Sequence, residues 1–205
     1  MVEGGRWDGR RLYELYQEAH TPWEWHKPLF DKARALGITV FSSPFDPTAV
    51  DFLESLEAPA YKIASPEVID TPLIRHVAQT GKPMIMSTGM ATLDEIGAAV
   101  DTARTAGCTQ FVLLHCTAAY PAEPRDANLA SIADLAARFD ATVGLSDHTM
   151  GTVVPVTAIA LGATVIEKHF TLARADGGVD SAFSLEPAEL KELVDHARIA
   201  QSAIG

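Results

Sequence analysis

The sequence predicts an α/β protein built on a parallel sheet, and three observations lead there. Short runs rich in Val, Ile, Leu and Met alternate with longer stretches of helical periodicity, six times in succession. The short runs are continuously apolar, as strands buried on both faces are, and lack the in–out alternation of half-exposed antiparallel strands. Polar and ionisable residues gather at the carboxyl end of each run: Ser42/Ser43, Lys62/Ser65, Ser87/Thr88, His115/Thr117, Ser146/Asp147/His148 and Glu167/Lys168/His169. Sites in parallel barrels are built from those strand ends. The expected architecture is therefore an incomplete (β/α)8 barrel of the TIM type, one partial domain over residues 1–205 with about six of eight strand–helix units. A doubly wound open sheet is the competing arrangement. Neither GxGxxG nor GxxxxGK[ST] occurs, which weakens its nucleotide-binding version.

Each element has its own signal. Residues 10–19 place Leu12, Leu15, Tyr16 and Ala19 at helical spacing. Thr21-Pro22-Trp23-Glu24 reads as a helix start, with Thr21 as N-cap, Pro22 at the first helical position and Glu24 closing a capping box. That helix runs to about Leu36 and stops at Gly37, and Trp23, Trp25 and His26 near its start are expected to pack against a neighbour. A strand at 38–43, a helix at 48–56, a strand at 60–65 and a helix at 71–79 follow. After a strand at 83–88, Thr92-Leu93-Asp94-Glu95 is a second capping box, opening a helix that ends at 106–107. The strand at 111–117 leads into a polar loop, 118–128, then a helix at 130–139 and a strand at 143–146. A small apolar helix at 151–161, a strand around Val165, a loop holding Asp176-Gly177-Gly178 and an amphipathic helix at 187–204 complete the chain.

Composition narrows the function classes. The 205 residues are 47% hydrophobic, enough for one sizeable core. Net charge is −11 with no Lys/Arg cluster, which argues against nucleic acid or an anionic membrane as partner. Cys108 and Cys116 form no disulfide framework and read as small buried residues of a reducing compartment. The first six residues lack the apolar core of a signal peptide and no apolar run is long enough to span a bilayer, so the expected location is the cytoplasm.

The strongest chemical signal is in residues 164–170 and 142–148. In the first, Glu167 and His169 share a strand face and Lys168 takes the other; in the second, Ser146 and His148 share a face. Charges in buried strands cost several kcal/mol unless they are partnered, so three ionisable groups in a row suggest a site. Two strands that each deliver a histidine look like half of a metal site, the bland alternative being two core histidines held by backbone carbonyls. Asp147 is expected to face away from His148 and orient a neighbour, and Glu167 to ligate, orient or act as base. Lys62 either snorkels to the surface, binds an anion or serves as a Schiff-base lysine. Nothing near Cys116 in the sequence marks an activated thiolate, and His115 belongs to the opposite face. Hydroxyls with a lysine suit phosphate or carboxylate; imidazoles with carboxylates suit a divalent metal.

Seven motifs stand in order: residues 21–26 (TPWEWH), 41–46 (FSSPFD), 61–65 (YKIAS), 87–90 (STGM), 115–117 (HCT), 144–148 (GLSDH) and 166–170 (IEKHF). Together they resemble the sialic acid synthase family, and the stretches 21–30 and 180–187 are similar to its pseudaminic acid synthase branch. The resemblance implies a metal-dependent condensation of phosphoenolpyruvate with an open-chain N-acetylated amino sugar, giving a nine-carbon 2-keto-3-deoxy acid. Mn²⁺ or Mg²⁺ would act as Lewis acid on the aldehyde oxygen, held by His148 and His169. Ser43, Lys62, Ser65, Ser87 and Ser146 would bind the phosphate and carboxylate of phosphoenolpyruvate, with Thr117 in the same substrate-binding set. Glu167 and Lys62 form the expected catalytic pair, Glu167 positioning the aldehyde or handling a proton. Full-length members are expected to be homodimers, with two further strand–helix units and an antifreeze-like domain that this sequence lacks. The metal half of the site is therefore expected to be intact and the substrate half incomplete. An N-acetylneuraminate or legionaminate synthase, a Schiff-base aldolase using Lys62, and a non-catalytic barrel fragment that binds metal or a partner are the competing readings. Sugar choice is expected to lie in loops 118–128 and 174–183.

Overall fold

The computed structural model describes Met1 and residues 7–205. Five strands form one sheet: β1 (Tyr61–Ile63), β2 (Met84–Ser87), β3 (Phe111–Cys116), β4 (Thr142–Asp147) and β5 (Ile166–Lys168). Every pairing is parallel, and the strands lie side by side in the order of the sequence. A doubly wound sheet reverses its order at a switch point. This sheet never does, and it curls as half of a barrel.

The helices are α1 (Leu12–Ala19), α2 (Trp23–Leu36), α3 (Pro47–Ser55), α4 (Thr71–Ala78), α5 (Leu93–Thr105), α6 (Ser131–Phe139), α7 (Val153–Ala160) and α8 (Pro187–Ile204). Their starts follow local chemistry. Asp46 accepts the amide of Ala49 to open α3, and Asp70 accepts that of Leu73 to open α4. Thr92 and Glu95 form the expected capping box of α5, Glu95 Oε2 taking the Thr92 amide at 2.7 Å. Gly37 ends α2 at φ +69°, the left-handed region a side chain would strain. No described helix is long and apolar enough to cross a membrane.

Alternation along the strands separates two environments. Tyr61, Ile63, Met84, Met86, Leu113, Val143 and Leu145 face the helices and are buried with Val50, Leu53, Leu73, Val77, Val100 and Leu135. The intervening residues, among them Lys62, Ser87, Cys116, Ser146 and Glu167, line the concave side. On that side Gly144 is required. A Cβ there would collide with the carbonyl oxygen of Val165 and the side chain of Leu114.

Two expectations need correction. Residues 38–43 are not a strand: they touch β1 through one bridge, Ser42 to Tyr61, with the Lys62 amide donating to Ser42 O at 3.3 Å. The segment has no second neighbour among the described residues, and Ile38 and Phe41 stay exposed, so its apolar run is not drawn into a ladder. Among the described residues five strands are therefore seen where six were expected. At α2 the cap is Pro22, not Thr21, and no side chain caps it. The helix begins one residue later than expected, which leaves Glu24 at the second position, out of register for a capping box. On α1 only Leu15 is buried, while Leu12 and Tyr16 are exposed.

Candidate active site

The carboxyl ends of β4 and β5 run in strict register. Leu145 pairs with Ile166, Ser146 with Glu167 and Asp147 with Lys168. Because faces alternate, Ser146 and Glu167 meet on the concave side, Ser146 Oγ donating to Glu167 Oε1 at 2.6 Å. One step on, His148 and His169 return to that side with ring centroids 5.3 Å apart. Between them, on the helix side, Lys168 Nζ meets Asp147 Oδ2 at 2.5 Å, so Asp147 does turn from His148 to a neighbour.

Lys62 reaches into the same space from β1. Its Nζ is 2.8 Å from Ser87 Oγ and 3.5 Å from Glu167 Oε1, and the residue is buried. The ammonium therefore does not snorkel to the surface. Ser65 accepts the Gly89 amide at 3.1 Å. Ser43 joins Lys62 and Glu167 in lining a cavity of about 560 Å³, together with Trp23, Phe41 and Phe45. A larger recess of about 790 Å³ opens among the amino ends of the strands. Its charged lining groups are Arg104 and Asp140, and the Arg104 guanidinium is already bonded to the carbonyls of Phe139 and Asp140. Parallel barrels place their chemistry at the carboxyl ends, so the smaller cavity is the candidate.

The imidazoles are held differently. His148 Nδ1 donates to the Thr117 carbonyl at 2.9 Å, which leaves Nε2 free to accept or ligate. Burial pulls its pKa down, but the Cys116 thiol, 4.0 Å from Nδ1, and the Thr117 carbonyl bring it above the usual value. Burial dominates at His169 and holds its pKa low, although Asp180 lies 3.7 Å from Nδ1. The Thr117 hydroxyl is not brought to the lysine cluster. It donates to Asp126 O at 3.2 Å. The sequence shows no partner for Cys116, and the structure supplies three. Burial pushes the thiol up, but His148, Ser65 and Ser146 together hold it below its ordinary value. No group of three or more His, Cys, Asp and Glu side chains able to hold a metal is found among the described residues.

Tyr120 is the functional candidate that the strand-end pattern passes over. Its ring lies 4.3 Å from His148 and 6.2 Å, edge-on, from His169, and it also packs on Trp7 and Phe183. Burial first, then the charges of Cys116 and Asp180, push its hydroxyl up to about 12. It comes from loop 118–128, where a tyrosine before a cis proline has no periodicity to betray it. His115, on the helix side of β3, anchors that loop by donating from Nε2 to Ala127 O at 2.7 Å. Trp23, near the start of α2, stacks on Phe52 at 4.5 Å, the packing role expected of it.

The NeuB family profile matches residues 2–205. The chain is 45% identical over its whole length to pseudaminic acid synthase of Campylobacter jejuni subsp. jejuni serotype O:23/36, and 45% identical to that of Helicobacter pylori. It spans 60% of the length of each. A crystal structure of N-acetylneuraminic acid synthetase from Leptospira borgpetersenii, in complex with citrate, superposes with a TM-score of 0.90 at 33% identity, covering 94% of this chain and 67% of that one. The chain belongs to the NeuB family.

Proposed function

We propose that this chain carries the chemistry of a nonulosonic acid synthase of the pseudaminic type, joining phosphoenolpyruvate to an open-chain N-acetylated amino sugar. The observation that supports it most is the convergence of Lys62, Ser87, Ser146 and Glu167 beside the His148–His169 pair. In this reading C3 of phosphoenolpyruvate forms a bond to the aldehyde carbon, whose oxygen takes a proton. Water adds at C2, phosphate departs, and the product is a nine-carbon 2-keto-3-deoxy acid.

Lys62, with Ser43, Ser65, Ser87 and Ser146, binds the phosphate and carboxylate. Charge-assisted bonds from an ammonium and hydroxyls are the strong way to hold such groups. Glu167 stands between Lys62 and Ser146, placed to orient the aldehyde or carry its proton. His148 and His169 would hold Mn²⁺ or Mg²⁺. His148 already has the tautomer a ligand needs, because its Nδ1 proton is committed to Thr117. Two imidazoles supply part of a coordination shell; the ion, when bound, supplies Lewis-acid polarisation of the sugar's carbonyl.

Phosphate release from phosphoenolpyruvate, measured with Mn²⁺ and a panel of acetamido sugars, tests the reading. Sugar-dependent release that disappears in His148→Ala and His169→Ala is expected. Release that ignores sugar and survives both substitutions contradicts it. The panel includes N-acetylmannosamine, and turnover of that sugar alone replaces the pseudaminic assignment with the N-acetylneuraminate one.

A further inference from the structure

Between the two concave pairs of β4 and β5 lies a charged pair on the wrong side for catalysis. Asp147 and Lys168 point toward the helices, with side chains 2% and 4% exposed. Their neighbours along that face of β4 are apolar, Val143 and Leu145. Each charge is further satisfied. Asp147 Oδ1 accepts the Thr149 amide at 2.9 Å, and Lys168 Nζ also donates to Thr149 O. Stability alone does not account for such a pair, because well-packed apolar residues in place of a buried ion pair are often neutral or stabilising.

What the pair does fix is register. β5 is three residues long, and three residue pairs hold it to β4. A slip by one residue would send every side chain to the opposite face. His169 would then leave the concave side while His148, on β4 and held in register by β3, stayed there, and Glu167 would lose Ser146. The ion pair sits at the last rung before the histidines, where an apolar contact would tolerate a slide and a 2.5 Å charge contact would not.

We propose that Asp147 and Lys168 are positioning residues: their buried ion pair locks the end of β5 to β4 and so sets the spacing of the His148–His169 imidazoles. The proposal rests on the reading of those histidines as a metal pair, and the test separates the two. Four variants are compared with the wild-type chain: Lys168→Met, Lys168→Arg, Asp147→Leu, and the double Asp147→Leu/Lys168→Met. Three quantities are measured: the NOE between the two imidazole rings in metal-free, histidine-labelled protein, the Mn²⁺ Kd by EPR, and the Tm.

Lys168→Met is expected to abolish the ring–ring NOE and to raise the Mn²⁺ Kd about 10-fold or more, the range seen when outer-shell partners are lost. Lys168→Arg should recover both. The double variant should regain Tm without regaining the NOE or the affinity, and it carries the test if either single variant fails to fold. The proposal is overturned if the double variant keeps the NOE and a Kd within about twofold of wild type. It is also overturned if the wild-type rings show no NOE. An NOE that depends on Lys168 in a protein that binds no Mn²⁺ would sink the metal reading and leave the positioning role standing.

Discussion

Lys62 Nζ and Glu167 Oε1 lie 3.5 Å apart although they belong to the first and last strands of the sheet. In a flat sheet four inter-strand steps of ~4.8 Å would hold those strands roughly 19 Å apart. The two side chains meet because the sheet curls, and that one contact carries both the barrel geometry and the site. If Lys62 binds the anion, Lys62→Met should weaken phosphoenolpyruvate binding by about 10- to 100-fold, the worth of a hydrogen bond to a charged group. Calorimetric titration reads this directly, and unchanged affinity would remove Lys62 from the binding set.

Glu67 follows β1, and its Oε2 is buried with no hydrogen-bond partner. Burial pushes its carboxyl up, Asp70 adds to this, and its own amide and Lys62 pull the other way without cancelling the rise. A raised carboxyl binds more protons folded than unfolded, so it costs stability once pH exceeds the unfolded value of about 4.3. Glu67→Gln should therefore melt above wild type at pH 8, with the gap closing as pH falls toward 4. A gap that widens on acidification would show that Glu67 is stabilised as a carboxylate.

Gly144 lets the backbone of β5 approach β4. Gly144→Ala forces a methyl against the Val165 carbonyl, a backbone atom that has nowhere to move without shifting β5. Overpacking of this kind costs about 1–3 kcal/mol. The loss should appear in Tm and should be accompanied by weakened Mn²⁺ binding, since His169 follows β5. A variant of wild-type stability would mean that the strands separate more easily than the register suggests.

How much of this is legible in the sequence depends on the range of the forces involved. Capping residues act within four positions, so the Thr92–Glu95 box and the Gly37 stop can be read directly. Strand alternation is local too, and its period of two by itself assigns Ser146 and His148 to one face of β4 and Glu167 and His169 to one face of β5. Residues 38–43 mislead because apolar content does not reveal whether a strand has neighbours on both edges. The contact of Cys116 with His148 joins positions 32 residues apart, and Tyr120 reaches the imidazoles from an irregular loop. Neither is encoded in any local period. Thr117 lies between: its position at a strand end is readable, but the turn of its hydroxyl toward Asp126 is not.

In the proposed function, the histidine pair and the Lys62 cluster form one site that would hold a divalent ion and phosphoenolpyruvate side by side. The most direct measurement is the ³¹P relaxation of phosphoenolpyruvate in the presence of this chain and Mn²⁺. Strong paramagnetic shortening is expected, vanishing in His148→Ala and His169→Ala and reversed by chelator. Phosphoenolpyruvate and Mn²⁺ that both bind, yet leave the ³¹P relaxation unchanged, would place them in separate sites and contradict it.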